Sequence, residues 1–120
     1  MSIDFSDSAL LSYLETCSEE QFEKLPFGAI KMDHQNIIER YNQAQCNITG
    51  YEVSQVLGKE FFQEVAPCTH HYMVSEQYLM NSELDSMVHF SFNHNLTPIT
   101  VKLRLLKSAS SQYLLTERMS

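Results

Sequence analysis

Most of the features that would assign a function quickly are missing from this sequence. Lysine and arginine together number 8 of 120 residues, against 15 acids, giving a net charge of −7 and an isoelectric point near 5.1. So acidic a chain lacks the basic patch that displaces counterions from a nucleic acid, and no nucleic-acid partner is expected. No run of apolar residues exceeds three, which excludes a membrane-spanning helix and a signal-peptide core. Three glycines, Gly28, Gly50 and Gly58, cannot build a phosphate-cradling loop, and there is no G-x-S-x-G. The carboxylates are scattered, with no pair that reads as acid plus base, so no enzyme is expected. Cys17, Cys46 and Cys68 are an odd number without C-x-x-C spacing, which fits reduced thiols in the cytoplasm. Cys68-Thr69-His70-His71 offers three ligands where structural zinc takes four in a two-part spacing, so no metal is expected. Nor do sequence neighbours readily fold a base back onto a thiol for nucleophilic catalysis.

What is present is 43 % hydrophobic residues in a length that suits one domain. Charge is uneven. Residues 1–25 carry Asp4, Asp7, Glu15, Glu19, Glu20 and Glu23 against Lys24, a net of −5 out of the chain's −7. Ser8 can cap a short helix bearing Leu10, Leu11 and Leu14, and Ser18 with Gln21 forms a capping-box pattern leading into Phe22 and Leu25. Pro26 then disfavours helix at the residue before it. Residues 1–25 therefore read as an acidic helical cap, or as a poorly ordered tail, ahead of a body over 26–120.

The body opens with two strands, 28–33 and 36–41, around a hairpin turn at His34-Gln35. Later, Val88, Phe90, Phe92 and His94 share one face, and Ile99, Val101, Leu103 and Leu105 alternate with Thr100, Lys102 and Arg104. A last strand runs from Tyr113 to Met119. Period two with a polar side predicts antiparallel strands that bury one face only. Helical stretches are expected near 42–46, 52–57 and 71–82. The fold class is α+β, an antiparallel sheet of about five to six strands with helices gathered on one face.

Two patterns are narrower. Asn42-Gln43-Ala44, Thr49-Gly50-Tyr51 and Val56-Leu57-Gly58-Lys59, set between a hairpin and a run of strands, resemble the PAS superfamily, whose members hold small ligands between sheet and helices. Phe27-Gly28-Ala29-Ile30, Phe61-Phe62-Gln63-Glu64-Val65-Ala66-Pro67-Cys68-Thr69, Leu84-Asp85-Ser86-Met87 and Leu96-Thr97-Pro98 resemble the photoactive yellow protein family over roughly residues 22–119.

That resemblance implies a blue-light receptor carrying p-coumaric acid (trans-4-hydroxycinnamic acid) as a thioester on Cys68. Light would isomerise its double bond, and protonation would couple to a conformational change. Tyr41 matches the tyrosine that hydrogen-bonds the phenolate, and Thr49 the threonine that bonds that tyrosine. Phe61, Ala66, Pro67, Thr69, Phe92 and Leu96 fall at the remaining chromophore-binding positions. The departures are as informative. Gln45 stands where the family has a protonated glutamic acid; its amide can donate a hydrogen bond but not a proton. Tyr51 stands where an arginine is common, Cys46 where a small residue is usual, and His94 and Leu96 where tyrosine and methionine are typical. The alternative is a PAS ligand-binding or dimerisation module without chromophore. A downstream protein partner, a cytoplasmic location and a monomer or weak homodimer complete the expectations.

Overall fold

The computed structural model describes residues 3–70, 73–94 and 97–119, with the side chains of 92–94 excepted. After the short helices α1 (Leu10–Thr16) and α2 (Glu19–Glu23) come strands β1 (Gly28–Met32) and β2 (Ile38–Tyr41). Helices α3 (Gln43–Thr49) and α4 (Val53–Val56), a π-helical turn Phe61–Val65, a 3-10 turn Pro67–Thr69 and α5 (Ser75–Met80) follow. Strands β3 (Leu84–His94), β4 (Thr97–Lys107) and β5 (Gln112–Arg118) close the chain. The five strands form one antiparallel sheet in the order β2-β1-β5-β4-β3.

Local chemistry accounts for most of these elements. Ser18 and Gln21 make the expected reciprocal capping box, each side chain satisfying the other's backbone N–H. α1 differs from expectation: Ser8 does not cap it, Ala9 occupies the cap position, and the Asp7 carboxylate takes the Ala9 N–H instead. The β1–β2 connection is not a two-residue turn at His34-Gln35. Asp33 Oδ1 accepts from the N–H groups of both Gln35 and Ile37, and Asn36 adopts φ 68°, so β2 begins only at Ile38. Asparagine tolerates that left-handed conformation, and Gln112 Nε2 donates to its side-chain oxygen at 2.8 Å. α3 starts one residue late and runs on to Thr49, where Gly50 at φ 83° ends it in the left-handed cap that favours glycine. α4 is shorter than 52–57, and α5 begins at Ser75 rather than near 71. The strands at 88–94 and 99–105 extend further than the alternation indicated, to Leu84–His94 and Thr97–Lys107.

The expectation of a sheet buried on one face only is corrected. Ile30, Met32, Val88, Val101, Leu103, Leu105 and Leu114 face a core shared with the helices. On the other side, Ala29, Leu106, Tyr113 and Leu115 pack against Phe5, Leu10, Leu14, Phe22 and Leu25. β5 is therefore buried on both faces through Thr116. Arg104, placed by alternation on a polar face, is buried beneath the N-terminal segment.

Candidate functional site

Between the sheet and its helices lies a cavity of about 490 Å³, within the range that small-molecule sites occupy. Its walls are assembled from four parts of the chain. Tyr41 ends β2, while Gln45, Ile48 and Thr49 project from α3 and Tyr51 from the loop after it. Phe61, Val65, Ala66, Pro67, Cys68 and Thr69 come from the two consecutive turns. The sheet supplies Phe90, Ser91, Val101, Leu103, Leu114 and Thr116.

The turns are built by their own side chains. Glu60 accepts from the Phe62 N–H at 2.6 Å, and Glu64 accepts from the Glu60 N–H at 2.8 Å, winding the segment into a π-helical turn. Pro67 then opens the 3-10 turn, where its missing N–H costs nothing. The Thr69 hydroxyl donates to the Ala66 carbonyl at 2.7 Å. Cys68 is consequently carried on a rigid corner at the cavity's rim, with the residue exposed. Partial burial of the thiol still pushes its pKa up, opposed by the Cys68 backbone N–H. Cys46 is buried in the core and does not line the cavity, and Cys17 lies far along the chain against the cap-side core.

At the buried end, the Tyr41 hydroxyl is 2.7 Å from Thr49 Oγ1, which lies 3.0 Å from the Gln45 carbonyl as a donor to it. Burial pushes the Tyr41 pKa up to about 12, against the opposing hydrogen bonds of Thr49 and Gln45, so the phenol stays protonated at neutral pH. The Gln45 side chain is seated directly on β1. A Cβ on Gly28 would stand 2.1 Å from Gln45 Oε1 and 3.2 Å from the Gln45 Cα, so only glycine lets α3 approach this closely. Tyr51 donates from its hydroxyl to the Val65 carbonyl at 3.3 Å, tying the α3–α4 loop to the π-helical turn.

The structure thus brings Tyr41, Gln45, Thr49, Tyr51, Phe61, Ala66, Pro67, Cys68 and Thr69 to one cavity. Leu96 and the side chain of Phe92 lie outside the described residues, as does His71 of the cysteine-histidine cluster. Among the described residues there is no group of three potential metal ligands, and no helix is long and apolar enough to cross a membrane. Sequence reasoning passed over Leu103, Leu114 and Thr116. Alternation marks their strands, but it takes the register of Gly28 opposite Thr116 to show which inward residues meet α3.

Comparison with known proteins agrees with this architecture. The family described as PAS fold matches residues 18–116. Photoactive yellow protein of Halochromatium salexigens is 30 % identical, with 88 % of this chain and 87 % of the relative covered. Its counterpart from Rhodobacter capsulatus is 32 % identical over 76 % of each chain. The crystal structure of the photoactive yellow protein domain of a sensor histidine kinase from Rhodospirillum centenum superposes with a TM-score of 0.80 at 27 % identity, covering 88 % of this chain and 97 % of that one. This chain belongs to the PAS-fold family and, within it, to the photoactive yellow proteins, a membership that carries a light-sensing role.

Proposed function

We propose that this member of the photoactive yellow protein family is a blue-light receptor carrying p-coumaric acid as a thioester on Cys68. One observation carries the reading: a cysteine at the rim and the hydrogen-bonded Tyr41–Thr49 pair beside the buried Gln45 line the same largely apolar cavity. The group fits these residues. Phe61, Val65, Val101 and Leu103 would flank its ring, with Tyr41 and Gln45 at the buried end of the cavity. When bound, p-coumaric acid supplies visible absorption and a double bond that light isomerises.

The chain's own residues do the rest. The Cys68 thiolate attacks the acyl carbon of an activated ester; the C–S bond forms as the leaving group departs, and the thiol proton passes to solvent. Because burial raises the Cys68 pKa, attachment quickens as pH rises. Thr49 has one hydroxyl proton and two acceptors in reach, Tyr41 Oη and the Gln45 carbonyl, while its oxygen accepts from the Tyr51 N–H. When Tyr41 donates into the cavity, Thr49 can turn its proton to Tyr41, so the chain of bonds reorients without breaking the core. Neither Gln45, an amide, nor Tyr41, with a pKa of about 12, releases a proton near neutral pH. Protonation of the pigment therefore draws on solvent and follows bulk pH. Tyr51 closes the rim where an arginine is common, bringing no positive charge.

In this reading residues 26–120 are the sensor and 1–25 the cap whose rearrangement passes the signal to a protein partner in the cytoplasm; the chain catalyses no reaction. The test is incubation of purified protein with an activated p-coumaroyl ester. A yellow product with added mass at Cys68 is expected, lost in Cys68→Ser and retained in Cys17→Ser and Cys46→Ser. Gln45→Glu should then make photoproduct protonation faster and less dependent on bulk pH. A colourless wild-type protein would overturn the reading and leave a PAS ligand-binding or dimerisation module.

A further inference from the structure

The sheet has two outer strands, β2 and β3, and the chain treats them differently. The free side of β2 is covered. Ile38 N–H donates to the Lys59 carbonyl at 3.0 Å, Gly58 N–H to the Ile38 carbonyl at 3.0 Å and Phe61 N–H to the Asn36 carbonyl at 2.9 Å. Ile37 also bridges to Glu60. β3, by contrast, pairs with β4 in unbroken register from Leu84 to His94, and among the described residues no other segment bonds to the backbone of residues 86–89. An open groove of about 580 Å³ runs there, lined by Ser86, Met87, Val88 and His89, with Met73 and Gln77 across from them. Consecutive strand residues point to opposite faces. A groove that touches four in a row therefore follows the strand's edge, where alternate N–H and C=O groups face outward. Edge strands are ordinarily guarded by lysine, proline or a bulge, and β3 has none of these.

We propose that the edge of β3 is a docking site for an extended segment of a partner protein, one in which basic and apolar residues alternate, added to the sheet beside β3. Main-chain groups on an edge bond any extended chain, so the side chains around it decide which one. Met87 is 45 % exposed, and Met80, one turn beyond Gln77 on α5, is 78 % exposed. With Met73 they offer adaptable apolar contacts to every second side chain of an added strand. Glu76 and Glu83 adjoin the groove in sequence, beside Gln77 and Leu84. Both are exposed, and neither is in an ion pair among the described residues. They select lysine or arginine at the intervening positions. A second copy of the chain suits the edge less well, because each copy carries a net charge of −7. The docking chemistry is independent of what the cavity holds.

The test titrates the whole, isotope-labelled chain with a short blocked peptide alternating valine and lysine, followed by amide NMR and hydrogen exchange. Binding should shift and slow the amides of residues 84–91 and leave those of the cap in place. A valine–glutamate peptide should not bind. The valine–lysine peptide N-methylated at every amide keeps its side chains but has no donors for the edge, and it should bind at least about tenfold more weakly. Met87→Lys sets the usual guard at an exposed edge position and should weaken binding about tenfold. Glu76→Gln with Glu83→Gln should weaken it less, and Glu19→Gln with Glu20→Gln, on the cap, not at all. Shifts centred on the cap acids, equal binding of the glutamate or N-methylated peptide, or binding undiminished by Met87→Lys would each overturn the proposal. So would dimerisation of the chain alone that Met87→Lys abolishes, which would make a second copy the occupant.

Discussion

Two apolar clusters back onto opposite faces of one sheet, and they use their polar groups in opposite ways. On the helix face, Tyr41, Phe61, Val65, Val101, Leu103 and Leu114 enclose a cavity, and among the described residues two buried polar atoms, Gln45 Oε1 and Thr116 Oγ1, have no hydrogen-bond partner. On the cap face, Phe5, Leu10, Leu14, Phe22, Tyr113 and Leu115 form a second cluster beside the hydrogen-bonded Arg104. Arg104 donates to the Phe5 and Asp7 carbonyls at 3.0 and 2.6 Å and makes a two-point contact with the Asp85 carboxylate. Polar groups satisfied by the chain itself hold a segment in place. Asn42 joins the two regions. Its amide donates to the Phe22 and Phe27 carbonyls, while its oxygen accepts from Ala29 N–H and from the Gln45 N–H that starts the helix lining the cavity.

Removing the chief fastening of the cap face should have the largest effect. Arg104→Leu loses the ion pair with Asp85 and leaves two tail carbonyls without their donor. The arginine side chain is 5 % exposed and Asp85 57 %, so the pair is half-buried. Asp85 is left in water, so the loss comes mainly from the Phe5 and Asp7 carbonyls and should be roughly 3 kcal/mol. Hydrogen exchange should show amides of residues 3–16 opening first, while those of β1, β4 and β5 stay protected. If the inner strands open together with the tail, the two faces are one cooperative unit and the contrast between them is false.

That arginine also marks where sequence reasoning ends. Alternation in β4 correctly set Val101, Leu103 and Leu105 inward, because period two follows from strand geometry alone. It set Arg104 outward for the same reason, and only the N-terminal segment arriving from about a hundred residues away buries it. The Ser18–Gln21 box was legible because both partners lie within one turn. The turn at 33–37 was not, since it depends on which N–H groups the Asp33 carboxylate gathers. At the site, Tyr41, Gln45, Thr49 and Cys68 were legible by resemblance to a family. Thr116 had no local signal, and the π-helical turn has no period that distinguishes it from an ordinary helix.

Burial raises the pKa of Tyr41 and Tyr78 on the helix face and of Tyr113 on the cap face, and the alkaline titrations of Tyr41 and Tyr113 should sharpen the comparison. Burial pushes both Tyr41 and Tyr113 up to about 12, with hydrogen bonds from Thr49 and from Ser111 respectively opposing it. A folded-state pKa above the unfolded value near 10 means that the native state holds the proton more tightly. The stabilisation is whole below pH 10 and disappears as pH rises toward 12. Two units correspond to roughly 2–3 kcal/mol for each residue. Denaturant midpoints should therefore fall steeply over that window, and Tyr41→Phe and Tyr113→Phe should each remove part of the fall, with Tyr78 contributing the rest at higher pH. Ligand in the cavity should displace the Tyr41 step and leave the Tyr113 step alone. Equal displacement of both would mean that the ligand is sensed on the two faces alike.

The smallest effect belongs to an exposed contact between cap and sheet. Glu15, on α1, accepts from the hydroxyls of Ser108 and Ser110 at 2.6 and 2.7 Å, linking the cap to the β4–β5 loop. Those bonds lower its pKa from 4.5, with Ser108 the larger cause and slight burial acting in opposition. A lowered carboxylate pKa means stabilisation that is complete above the unfolded value and fades as pH falls through the folded one. Exposure limits its size to a few tenths of a kcal/mol. Glu15→Gln should therefore lower the denaturant midpoint slightly at pH 7, by an amount that shrinks as acid protonates the wild-type carboxyl. An undiminished difference at pH 3 would show that Glu15 acts by packing rather than by charge. Protonating Glu15 would then not loosen the cap, which Arg104, Asn42 and the apolar face would still hold.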